Sequence, residues 1–133
     1  MEIKDIINFK LIGSVFIFLI GGFDNMFISL LIFMIIDYIT GIIKAIYQHK
    51  LNSKIGIKGI LKKIGYIFIV VIATLFDYLI GDSTLAVRTL VIYFFISNEA
   101  ISILENWALM GLPLPKKIFQ VFESLNDNNK KVD

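Results

Sequence analysis

Cysteine is missing from all 133 residues, and histidine and tryptophan occur once each. Without thiols there is neither a disulfide framework nor a thiolate metal site. A lone His49 beside Lys50 supplies no Ser/His/Asp set and no His/Glu metal spacing. Gly56 and Gly59 are too sparse to cradle a phosphate. No enzymatic activity, metal or cofactor is therefore expected. Charge is scarce too, at 18% against roughly 25% in soluble domains. The first ten residues are mixed in charge and no small-x-small cleavage site follows the first apolar run, so that run is expected to stay in the protein.

What the chain has instead is apolar surface: 57% hydrophobic residues and a mean hydropathy of +0.81. A single aqueous core of this size cannot bury that much Ile, Phe and Leu, because a small domain leaves about a third of its chain surface exposed. The composition predicts an all-α, polytopic integral membrane protein forming a single membrane domain. Four apolar segments are expected to span, at about 6–23, 26–45, 64–80 and 89–108. The first is diluted by Gly13, Gly21 and Gly22, and its alternative is to lie in the interface.

Twelve of the thirteen basic residues fall on one side of a four-span topology, Arg88 being the exception. The positive-inside rule makes that side cytoplasmic, with both termini there. Tyr47, Tyr66 and Trp107 are then expected near the inner interface and Tyr78 near the outer one. The outer turns are too short to hold a module. After the fourth span Gly111–Pro115 breaks the helix, Lys116–Leu125 reads as an amphipathic cytoplasmic helix, and the polar end of the 111–133 segment reads as disordered.

Three groups of residues stand out. Asp37 and Glu99 lie near the middle of their spans, where a carboxylate costs about 2.5–3.5 kcal/mol, and with Asn98 they are expected to form an intramembrane polar seam facing the bundle interior, an oligomer contact or water. Hydrogen-bonded helix packing is the plainer reading of the same residues, and for Asp77, near a span end, it is the preferred one. Asp37, Thr40, Gly41 and Lys44 share one helix face, where Gly41 permits close approach and Thr40 an interhelical hydrogen bond. The segment 46–63 is expected to hug the inner leaflet, with Ser53 as helix N-cap and Lys54, Lys58 and Lys62 at i, i+4, i+8, followed by Lys63. Anionic lipid suits such a basic stretch. Nucleic acid does not suit one so short and tethered at both ends to spans.

Asp37-x-x-Thr40-Gly41-x-x-Lys44-Ala45, then Asn52-Ser53-x-x-Gly56-x-x-Gly59 running into Lys62-Lys63, resembles the toxin-secretion/phage-lysis holin family, as does Ser102–Asn106 followed by Gly111-Leu-Pro-Leu-Pro-Lys-Lys117. The resemblance covers roughly Asp37 to Lys117. It implies a protein of the bacterial cytoplasmic membrane that forms a homo-oligomer and opens lesions through which endolysin or a toxin leaves. The alternatives are a selective ion or proton channel or transporter subunit, and a membrane adaptor that opens no path.

Overall fold

The computed structural model describes residues 2–118, Gln120 and Ser124. Four helices follow one another: α1 (Ile3–Leu19), α2 (Asn25–Tyr47), α3 (Ser53–Ile80) and α4 (Ala86–Leu109), with no strand among the described residues. The last three are long and apolar enough to cross a membrane. At 1.5 Å per residue the 17 residues of α1 reach about 25 Å, short of the roughly 30 Å hydrocarbon core. Expected and observed bounds differ by up to three residues at either end of α2 and α4. They differ by three or four at the ends of α1, and more at the start of α3, which takes in the lysine run from Ser53 onward.

Each long helix carries one inward stripe at alternating three- and four-residue steps. On α2 it reads Phe27, Leu30, Met34, Asp37, Gly41, Lys44; on α4, Arg88, Ile92, Phe95, Glu99, Ser102, Asn106. On α3 it is Gly56, Gly59, Lys63, Tyr66, Val70, Ala73, Asp77. A spacing averaging 3.5 residues keeps a seam facing its neighbours in a gently supercoiled bundle. α4 is the centre of that bundle: α2 and α3 both pack mainly on it and touch one another little.

The bundle is inverted relative to a soluble protein. Its interior buries Thr74, Asp77, Arg88, Glu99 and Asn106, while Phe68, Ile72, Leu90 and Phe94 are exposed. Around the apolar part of the core, Ile20, Phe27, Leu30, Val70 and Ile92 are buried together, and the Tyr66 and Phe95 rings stack at 4.0 Å. Such a surface is at equilibrium only in lipid. The chain is an all-α membrane protein.

Helix ends are set locally. Asp24 caps α2 by accepting the Phe27 amide (3.0 Å), and Asn52 caps α3 by accepting from Lys54 N–H (2.9 Å). The cap thus sits one residue before the expected Ser53, which is the first helical residue; an amide oxygen caps as well as a hydroxyl. α2 ends with His49 in the left-handed region, φ 52°, which lets the Lys50 amide reach back to the Ala45 carbonyl (2.9 Å). The amphipathic helix expected over Lys116–Leu125 begins as helix at 116–118; most of its remainder and the polar tail lie outside the described residues.

Candidate functional site

Midway along the bundle, Lys63 reaches in from α3 between two carboxylates. Its Nζ is 2.7 Å from Asp37 Oδ2 and also donates to Glu99 Oε2. Asp37 and Glu99 lie about 18 and 20 Å along α2 and α4 from the helix starts, near the middle of each. A cation at that depth holds both acids inside the protein, where one facing lipid would be costly. The Glu99 side chain is 3% exposed.

Asn106, one stripe position beyond Ser102, extends the seam. Its Nδ2 donates to Asp37 Oδ1 (3.2 Å) and Thr40 Oγ1 (3.2 Å), and its Oδ1 accepts from Lys44 Nζ (2.7 Å). Thr40 in turn donates to the Asp37 carbonyl (3.0 Å). Gly41 lies opposite, where an added Cβ would sit 3.7 Å from Asn106 Nδ2. Asp37, Thr40, Gly41 and Lys44 all face Asn106 of α4. Among the described residues no buried side-chain nitrogen or oxygen lacks a partner.

Several expected positions are redistributed. Lys63 leaves the lysine ladder for the interior, because it is turned about 100° from Lys62 and falls on the stripe through Tyr66 and Val70. Lys54 and Lys58 stay exposed, and Lys62 lies over the Tyr66 ring at 5.6 Å. Tyr66 is itself buried in the core. Asn98 is beside Glu99 in sequence but off the stripe, and makes no hydrogen bond to the cluster. Asn106, not Asn98, joins the cluster, and its seven-residue distance from Glu99, two helical turns, is the signal that identifies it.

A second charged group closes the other end of the bundle. Arg88, 1% exposed, donates to Asp24 (2.9 and 3.1 Å), to the Gly22 carbonyl (3.0 Å) and to the Ile20 carbonyl. It thereby ties the α1–α2 turn to α4. Arg88 holds the Asp24 carboxyl below the ordinary carboxylate range, its hydrogen bond being the largest cause. Asp77 is fully buried rather than hydrated at a span end, and accepts the amides of Val87 (3.0 Å) and Arg88 (2.8 Å). Asp82 takes the Ala86 amide (3.0 Å), so two carboxylates fill the three first amides of α4, groups that a helix leaves unpaired. Packing is therefore the role of Asp77, for a different reason than its proximity to water.

α1 is held to α3 near its C-terminal end. The Phe18 ring stacks on Tyr78 at 4.9 Å, the Tyr78 hydroxyl donates to the Phe18 carbonyl (3.1 Å), and no residue of the helix is buried.

Comparison with known proteins adds three findings. The bacteriophage holin family matches residues 14–127. An uncharacterized 14.9 kDa protein from the nagH 3′ region of Clostridium perfringens is 42% identical over 90% of this chain and 89% of its own. Uncharacterized proteins of Listeria innocua and Bacillus subtilis are 38% and 31% identical, over 91% and 94% of this chain and 89% and 88% of theirs. No solved structure matches the chain.

Proposed function

The chain belongs to the bacteriophage holin family, a family of non-enzymatic membrane proteins, and on that premise we propose that it oligomerises in the bacterial cytoplasmic membrane and opens lesions large enough for a protein to leave. The observation that carries this reading is the inverted bundle, with Lys63, Asp37, Glu99 and Asn106 enclosed at mid-depth. A buried polar seam costs little once it meets water or a partner, so association of several copies can turn these faces toward a common aqueous path. α1, exposed along its length, is the element free to join neighbouring copies.

In this proposal both termini and the α2–α3 loop face the cytoplasm, because the basic residues gather there. Lys54 and Lys58 rest on the anionic leaflet. The cargo is an endolysin or a secreted toxin. Induced expression in bacteria carrying cytoplasmic reporters of graded size tests the reading. Abrupt release of a folded protein after a delay is expected, with Asp37→Leu inserting normally but opening late or never. Leakage of ions alone would make it a selective channel, and no leakage at all would make it an adaptor.

A further inference from the structure

Beside the Lys63 cluster, toward the α2–α3 loop, the helices part. α2 and α3 both rest on α4, and between them lies a groove of about 380 Å³. Ile42 and Ala45 form one wall, Ile55, Gly56 and Gly59 the other, and Asn106 of α4 lies on the floor. With α4 beneath, the groove faces sideways, away from the bundle, where a membrane protein meets lipid. The glycines give it width. A Cβ at Gly59 would meet nothing within 4 Å and one at Gly56 only the Tyr38 hydroxyl at 3.6 Å, so neither glycine is needed for helix contact.

The charges at this groove are unequal. Lys44, Lys50 and Lys63 line it with a single carboxylate, Asp37. Lys63 is matched by Asp37 and Glu99, but Lys44 is bonded only to the neutral Asn106 amide, and Lys50 makes no ion pair among the described residues. The loop residues Lys50 and Asn52 bring the start of α3 to the mouth, and a helix start favours an anion.

We infer that this groove binds one anionic phospholipid per protomer, the phosphate between Lys44, Lys50 and the first turn of α3, an acyl chain along Ile42, Ile55 and the two glycines. A zwitterionic headgroup would set a further cation among the lysines, and a soluble anion would leave the apolar walls uncovered. The site rests on the chain spanning a membrane and is independent of whether it opens lesions.

Native mass spectrometry of the full-length protein, released from micelles with equal phosphatidylglycerol and phosphatidylcholine, tests it. One phosphatidylglycerol is expected to remain, favoured over phosphatidylcholine by about fivefold or more. Lys50→Gln should lower that preference severalfold, and Gly59→Leu, whose Cβ enters open space and whose side chain fills the groove, should remove bound lipid of both kinds. Lys58→Gln, off the groove, should change nothing. Equal retention of the two lipids by the native protein overturns the inference, as does undiminished binding in Gly59→Leu. Equal losses from Lys58→Gln and Lys50→Gln would reduce the effect to general surface charge and overturn it too, and displacement by inorganic phosphate would make the ligand a soluble anion.

Discussion

Charge is buried at two levels of the bundle, and the two are built on different plans. At the Arg88 level each group has a dedicated partner: the guanidinium holds one carboxylate and two carbonyls, and Asp77 is satisfied by helix amides. At the Lys63 level one ammonium is shared between two carboxylates, with a groove alongside. A planar five-donor fork suits a fixed joint, whereas a lysine is a point charge on a flexible stem. The Arg88 level therefore reads as the permanent clasp and the Lys63 level as the part that can be repartnered. Only the second has a cation that could choose between acids.

The two levels should therefore fail differently. Lys63→Met strands Asp37 and Glu99 together at mid-membrane and should cost about 3–5 kcal/mol, read from heat or denaturant titration in micelles. Adding Glu99→Gln should recover much of it, since a neutral amide leaves a single acid to satisfy. Arg88→Met should cost about 3 kcal/mol with no comparable single rescue, because carbonyls as well as Asp24 lose their donor; proteolysis in the Gly21–Asp24 turn should rise in step. A rescue of Arg88→Met by Asp24→Asn as complete as that of Lys63→Met would erase the distinction.

Gly21→Ala tests the clasp from its other side. Gly21 has φ +76°, and an added Cβ would lie 2.6 Å from Arg88 Cδ, so about 1–3 kcal/mol of strain should appear as faster hydrogen exchange in the turn. Acid offers a gentler probe. Because Arg88 lowers the Asp24 pKa in the folded protein, the stabilisation is complete above the unfolded value of about 3.9 and is lost as pH falls through the lowered one. Exchange in the turn should be flat from pH 8 to 5, after correction for intrinsic rates, and should rise only below about pH 4. Asn98→Ala should change stability by no more than about 0.5 kcal/mol, the smallest effect, and would contradict the stripe assignment if it matched Asn106→Ala.

Length and hydropathy made the helical membrane class and the bounds of α2 and α4 legible, because a long apolar run has few other ways to satisfy its backbone. The mid-span acids were legible for the same energetic reason. Lys63 was hidden by its neighbours: in a run of lysines each looks solvated, and only the 3.5-residue stripe separates it from Lys54, Lys58 and Lys62. That lysine run also concealed the start of α3, since lysine is a good helix former and does not end a helix. Arg88 and Asp77 lay beside short turns, where charge looks exposed; their burial depends on three segments converging, which no local pattern encodes.

The unequal lengths of the three long helices carry one more consequence. With 28 residues against 23 and 24, α3 is about 42 Å long and its partners about 35 Å. In a bilayer of roughly 30 Å hydrocarbon thickness the excess must be taken up by tilt or by projection into the headgroups. Lys63 is carried on that same rod, about 15 Å from its start at Ser53. Thinning or thickening of the bilayer therefore acts as a strain on α3 first, and through it on the ammonium shared by Asp37 and Glu99.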